Sequence, residues 1–419
     1  MTVSREQQPS ASVARPSGLG SGSPLERQVA RRRPNRNSYD TPPRRVRRTA
    51  ALAACIVLLP SLIGYVSSML GRSDSSLGIR TVEWLTDNGA RGLVDQVENI
   101  YYSLTAPSKG GPGIKRLPKQ VGVAVATAIG PASHRSRHRH RPHYEPPPIA
   151  PILHPALAGE GVWRAPYTAG HDAHPPVLVT SFRPNPAYPS FVAGVAWIDH
   201  TETSIRLYPG IQEPSVFIPE RGPEEVPTTL RSQLLATFNS GFKLQDSGGG
   251  FSLDGHTYAA MHDGLATIVG YTNGRVNVVS WTGGPTVKRN VLFARQNLPL
   301  LVSHGKVNPD INNGADWGAT LGNAVMVWRS SIGIDRHGNL IYAAANDQTA
   351  ASLAQIQIHA GAVRAMELDI NAYWPSFITY TGPNGVGAAN LLPSMNRSPL
   401  RYLTPDDRDF FAVYTRRVH

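Results

Sequence analysis

The chain has 419 residues, 17% of them charged, and its 41 Lys and Arg against 29 Asp and Glu give a formal charge of +12. The charge is unevenly placed: residues 1–48 hold 11 Arg and three acids, whereas residues 150–419 hold 19 basic and 20 acidic groups. A near-neutral body behind a basic tail excludes a basic globular nucleic-acid domain, so no nucleic acid is expected on the folded part. The only cysteine, Cys55, excludes an intrachain disulfide and a Cys-based metal centre. No metal site and no cofactor are indicated.

Residues 1–48, rich in Arg, Pro, Ser and Gln, read as a disordered basic tail. Thr49–Leu70 follows, 22 residues without a charge between Arg48 and Arg72, which is long enough to cross a bilayer. Pro60 would kink such a helix, and membrane helices tolerate that. A buried core helix seldom follows an Arg block directly. A cleaved signal peptide would need a 48-residue leading region, and no A-x-A site follows. The expectation is a single-pass signal anchor in the cell membrane. The Arg excess keeps the N-terminus cytoplasmic and the C-terminal domain extracytoplasmic.

Residues 71–104 form a juxtamembrane stretch. Ile79, Val82, Leu85, Leu93, Val97, Ile100 and Leu104 recur at helical spacing over 77–104. A short stalk is the preferred reading, with a partner helix or the membrane surface as other occupants of its apolar face. Residues 105–155 are a Pro/His/Arg-rich linker. Its segment His134–His143, HRSRHRHRPH, has the composition of a weak metal or pH-sensitive patch, but the flanking prolines favour a solvated linker.

The body, 156–419, is expected to be α+β: a strand-rich mixed sheet with packed helices, preceded by the one transmembrane helix. Phe191–Ile198 and Gln233–Phe238 are apolar runs. Leu265–Tyr271 and Arg275–Trp281 flank Thr272-Asn273-Gly274, a hairpin signal because Asn-Gly accepts positive φ. Ile332–Asp335 and Asn339–Ala344 flank a second turn, Arg336-His337-Gly338. Thr349 is placed to cap a helix through His359 that Gly361 ends. Strands are then expected at Val363–Asp369, Phe377–Tyr380 and Phe410–Tyr414.

Three polar clusters have chemical potential. In Thr237–Lys243 an apolar strand ends in a polar turn where Asn239 and Ser240 could bind sugar or phosphate oxygens and Lys243 adds charge. Arg329, between two strand-like runs, suits bidentate recognition of a phosphate. Glu367, Asp369 and Asn371 alternate along a strand and so share one face. Each has an ordinary alternative: an Asx turn, a surface ion pair and a solvated strand face.

In order and spacing these clusters resemble the phosphodiester glycosidase family over about residues 230–415. The matching pieces are Phe238-Asn239-Ser240-Gly241-Phe242, then Arg329-Ser330-Ser331-Ile332-Gly333-Ile334-Asp335 with Gly338, then Gly361-Ala362 through Leu368-Asp369. The family continues Leu-Asp with a run of glycines and serines. Here the chain continues Ile370-Asn371-Ala372-Tyr373-Trp374-Pro375-Ser376, so bulky residues replace a glycine nest, and Asn371 and Ser376 substitute in part. Ser240 and Lys243 also stand where the family favours Gly and an aromatic.

The resemblance implies hydrolysis of a sugar-1-phosphodiester to free sugar and a phosphomonoester. Arg329 would hold the departing phosphate. Asp369, with Glu367 as the alternate carboxylate, would serve the anomeric carbon, and Asn239, Ser240, Lys243 and Asn371 would bind substrate. The other readings are a non-catalytic module for phosphodiester-linked envelope glycans, with Tyr373 and Trp374 stacking on sugars, and a structural membrane protein partnered through 77–104.

Overall fold

The computed structural model describes residues 44–105, 107–119, 144–166, 174–313, 317–318 and 326–416. The tail before residue 44 and the His/Arg segment 134–143 lie outside the described residues.

The chain divides into two compact units, Met1–Leu62 and Ile63–His419. In the first, the described residues belong to the opening part of helix α1 (Arg44–Leu70). Its apolar side chains, such as Leu52, Ile56 and Leu62, are exposed. Among the described residues it is one helix long and apolar enough to cross a membrane, and by composition it is compatible with an anchor or a signal sequence.

The second unit opens with α2 (Leu77–Leu85) and α3 (Arg91–Thr105). The periodicity predicts one helix over 77–104. The structure breaks it at 86–90, where Gly89 sits at φ 88, a conformation that glycine adopts without steric cost. Ser76 caps α2 by accepting from the Ile79 N–H.

The remaining elements, in chain order, are β1 (Val177–Phe182), β2 (Ala193–Ile198), β3 (Thr203–Tyr208), β4 (Leu234–Asn239), the single turn α4 (Leu244–Ser247), β5 (Phe251–Leu253), β6 (His256–Ala259), β7 (Ala266–Tyr271), β8 (Val276–Ser280), β9 (Val291–Gln296), β10 (Leu300–Ser303), β11 (Lys306–Val307), β12 (Val327–Asp335), β13 (Leu340–Gln348), α5 (Ala350–His359), β14 (Ala362–Ile370), β15 (Phe377–Thr379), β16 (Ala389–Asn390) and β17 (Phe410–Thr415).

They form three sheets, ordered β1-β2-β13-β12-β14-β10-β11, β16-β15-β4-β17-β3 and β6-β5-β9-β7-β8. The expected mixed sheet is corrected: every paired neighbour among the described strands runs antiparallel. The helical crossover α5 does join two strands of like direction, β13 and β14. The chain returns on the far side of β12, so β12 separates them.

The seven-stranded sheet is covered on both faces. On one face Val177, Ala196, Ile332 and Met366 join Phe238, Phe411, Ile268 and Phe293 of the other two sheets in the main core. On the other, Phe182, Trp197, Ile341 and Ala343 pack with Leu353 and Ile356 of α5. Double-sided cover explains why β2 reads as a continuous apolar run and why all six positions of both β1 and β2 are buried. Thr349 caps α5 in a reciprocal box with Ser352, and Gly361 takes φ 98 just past its end. The chain at 144–155 also lies against this body, with Ile149 buried and its N–H bonded to the Gly161 carbonyl at 2.9 Å.

Candidate active site

The end of β4, the end of β14 and the start of β17 converge. Phe410 of β17 pairs with Asn239 of β4, so the loop entering β17, Asp406-Asp407-Arg408-Asp409, lies beside the turn leaving β4. The Ser240 backbone ties the three together: its N–H donates to the Asp409 carbonyl at 3.3 Å, and its carbonyl accepts from the Asp369 N–H at 3.0 Å.

Strict alternation would put Glu367 and Asp369 on one face, but β14 does not keep it to the end. Arg329 pairs with Ile370 and Ser331 with Glu367, so two steps on β12 face three on β14. Such a bulge re-aims side chains. Met366 and Leu368 lie in the main core, whereas Ile370 packs against the α5 side. Asp369 falls inside the irregular step and turns into a cavity of about 300 Å³.

The body's charged contributions to that cavity are Asp369, Arg408, Lys243 and Asp246, with Asn371 and Trp374 beside them. Arg408 donates from Nη2 to Asp369 Oδ2 at 2.7 Å, and its guanidinium carbon stands 4.4 Å from the centre of the Trp374 ring. Its Nε and Nη1 are buried and have no hydrogen-bond partner among the described residues. Gly210 makes room for the loop: a Cβ there would lie 2.5 Å from the Arg408 backbone. Asn371 has φ 79, so an asparagine follows a backbone path that favours glycine.

Burial pushes the Asp369 carboxyl up to about 6, and the nearby Arg408 only partly offsets it. For Arg408, burial alone would favour losing the proton, but the Asp369 carboxylate outweighs it and holds the guanidinium charged.

The rest of the cavity wall comes from α2, α3 and the break between them, through Val82, Glu83, Thr86, Arg91, Val94, Asp95 and Glu98. Lys243 Nζ lies 3.3 Å from both Glu83 Oε1 and Asp87 Oδ2, and Arg91 pairs with Asp246 at 2.5 Å. The stretch before α2 is fixed to the loop that carries Arg408. Ser73 and Ser75 donate to Asp407 Oδ2 at 2.5 and 2.6 Å, Asp407 N–H donates to Asp74 Oδ1 at 3.0 Å, and Asp74 also pairs with Arg397.

Of the residues singled out from sequence, Asp369, Lys243 and Asn371 line the cavity. Asn239, Ser240, Arg329 and Glu367 stand behind its wall. Arg329 Nη1 binds Glu367 Oε1 at 2.6 Å and Nε donates to the Gln348 carbonyl, both side chains being buried. Burial pushes the Glu367 carboxyl up against the pull of Arg329. Asn239 donates to Ser330 Oγ at 3.0 Å and accepts from Tyr342 Oη and the Ser376 N–H. Ser330 Oγ in turn donates to the Asp369 carbonyl at 2.7 Å, so Asn239 supports the Asp369 backbone at one remove. Sequence reading missed Arg408. The available signal was four consecutive charged residues directly before an apolar strand in a body with few charges. Among the described residues, no group of three or more His, Cys, Asp and Glu side chains is arranged to hold a metal ion.

The sheets thus bring a carboxylate, Asp369, and a guanidinium, Arg408, to one cavity at their edge. Residues 233–369 match the family model for phosphodiester glycosidases. No curated protein matches the chain. Among solved structures, the zebrafish N-acetylglucosamine-1-phosphodiester alpha-N-acetylglucosaminidase catalytic domain, auto-inhibited by its pro-peptide, is similar at 15% identity and TM-score 0.40, over 59% of this chain and 86% of that one. A hypothetical protein from Synechocystis is similar at 13% identity and TM-score 0.34, over 57% of this chain and 62% of that one.

Proposed function

We propose that the protein hydrolyses a sugar-1-phosphodiester, releasing the free sugar and a phosphomonoester, and that α1 anchors it in a membrane with the cavity on the extracytoplasmic side. The observation that carries the reading is the Arg408–Asp369 pair in the cavity wall, with two guanidinium nitrogens left without a protein partner.

Water adds to the anomeric carbon, the bond from that carbon to the bridging oxygen breaks, and the oxygen departs with the phosphate. A phosphate leaves readily, so the demand for a general acid is lower than in an ordinary glycoside. Arg408 places its positive charge beside the departing phosphate, in the role that sequence assigned to Arg329. Asp369, poised near 6, takes the proton of the attacking water or stabilises the oxocarbenium-like centre. Trp374 and the Asp369 carboxylate hold the guanidinium in place, so it need not reorganise as charge develops.

The binding-module reading draws less support. Arg408 covers the Trp374 ring at 4.4 Å and Arg397 covers the Tyr373 ring at 4.2 Å, so each aromatic has a face occupied that would otherwise stack on a sugar.

The test is release of reducing sugar and phosphomonoester from a sugar-1-phosphodiester by the full chain. Asp369→Asn is expected to lose about 100-fold or more in kcat, in line with loss of a placed general base or charge stabiliser. Unchanged turnover in that variant, or retention of a phosphodiester glycan with no release by the native protein, refutes the catalytic assignment.

A further inference from the structure

The wall of the cavity that faces away from the sheets is built by the same helices that follow the apolar span. Five side chains of α3 are exposed and apolar: Leu93, Val97, Ile100, Tyr101 and Leu104, with Leu93 at 62% and Leu104 at 82%. At 3.6 residues per turn they fall within an arc of about 100°. Arg91, Val94, Asp95 and Glu98, which line the cavity, occupy the neighbouring arc. One helix therefore shows an unbroken apolar stripe on one side and a charged site wall on the next.

What covers the stripe follows from where the helices are tied. Only Gly71 and Arg72 stand between Leu70, the end of the apolar span, and Ser73, which is bonded to Asp407. Three residues reach at most about 10 Å. The last turns of α1 are also in contact with α2. Tyr65 meets Trp84 edge to face at 5.3 Å, Tyr65 Oη bonds Thr81 Oγ1 at 3.0 Å, and Arg80 donates to the Ser68 and Gly71 carbonyls. Tyr65, within two turns of the span's end, and Trp84 packed against it suit the boundary between acyl chains and headgroups. Val82 and Val94 line the same cavity as Arg408.

We propose that α3 lies on the bilayer with this stripe at the acyl-chain boundary, and that the substrate is a membrane lipid bearing a sugar on its phosphate through the anomeric oxygen. The inference rests on the phosphodiester glycosidase reading of the cavity and names the class of leaving group. Water adds to the anomeric carbon, the sugar leaves into solution with a free reducing end, and the lipid monophosphate stays in the membrane. Leu93 and Val97 hold the site at headgroup depth and touch no reacting atom.

The test uses the full chain reconstituted in phosphatidylcholine vesicles doped with an acyl-chain diazirine lipid. Photolysis is expected to label the peptide spanning 91–105 as well as α1, and L93E/V97E to lower labelling of 91–105 more than five-fold while α1 labelling persists. In parallel, the hexadecyl diester of N-acetylglucosamine 1-phosphate, carried in vesicles, is compared with its methyl diester in solution. L93E/V97E is expected to lose at least ten-fold in turnover of the hexadecyl diester and to stay within two-fold on the methyl diester, which also reports that the variant is folded. Absence of label in 91–105, or label replaced by a crosslink between two copies through the stripe, overturns the membrane contact. Equal losses on both diesters overturn the lipid substrate. Labelling of 91–105 with neither diester cleaved by the native protein sinks the glycosidase reading and leaves the membrane contact standing.

Discussion

The ionisation of Asp369 gives the sharpest prediction. Its carboxyl sits near 6 because burial opposes the charge more strongly than Arg408 favours it. If the ionised form acts, about nine-tenths of the enzyme is competent at pH 7 and about one-tenth at pH 5, so kcat/KM falls roughly ten-fold across that interval. A phosphodiester keeps its single charge over the same range, so the limb belongs to the protein. Asp369→Asn should give low, flat activity between pH 5 and 7. The same displacement has a stability side. The folded state holds this proton more tightly than the unfolded state, so the stabilisation is fully present below about 3.8 and is lost as pH rises through about 6. The step from 3.8 to about 6 corresponds to about 3 kcal/mol. Urea denaturation at pH 4 and pH 7 should therefore show wild type losing stability relative to Asp369→Asn by up to that amount. A wild-type activity limb centred near 4, or one that survives unchanged in Asp369→Asn, would refute the assignment.

Arg408→Lys keeps a cation but removes the fork of donors, and kcat/KM should fall about 10- to 100-fold, with near-native circular dichroism. The Arg329–Glu367 pair behaves differently. Glu367→Gln breaks a buried pair and should cost about 3–5 kcal/mol in urea unfolding, with kcat per folded molecule within about three-fold of wild type. Gly210→Ala puts a Cβ against the Arg408 backbone and should lower the melting temperature by several degrees, since relief requires moving the loop itself. Glu83→Gln with Asp87→Asn releases Lys243 from two carboxylates at 3.3 Å, and KM for an anionic substrate should fall about three- to ten-fold with kcat little changed.

Elements set by local chemistry were legible in the sequence. The Asn273-Gly274 hairpin, the turn before Asn339, and α5 with its Thr349 cap appear within a residue or two of their expected places, because turn and cap residues act on the backbone beside them. Strands β1, β3, β5, β6, β9, β10, β11 and β16 have no counterpart among the expected runs. Their burial depends on which sheet covers them, and β1 is buried at all six positions. The site divides along the same line. Asp369, singled out from its place at the end of a strand, lines the cavity. Its separation from Glu367 depended on a bulge set by the partner strand. Arg408 was missed because Asp-Asp-Arg-Asp reads as a hydrated turn until a partner strand and a glycine at 210 bring it inside. The amphipathic pattern of 77–104 was visible, but nothing in it announced that its polar face would complete a cavity.

The clamp of Ser73, Asp74 and Ser75 on Asp407 joins residues more than 330 positions apart. It makes the cavity a joint product of two stretches that a long linker separates in sequence. Cut between Thr105 and Tyr144, the protein would become two fragments that meet at the cavity, each lacking something the other supplies. Mixing a fragment ending in that interval with one beginning there should restore turnover that neither has alone. If the downstream fragment is fully active by itself, the helices only neighbour the site and do not belong to it.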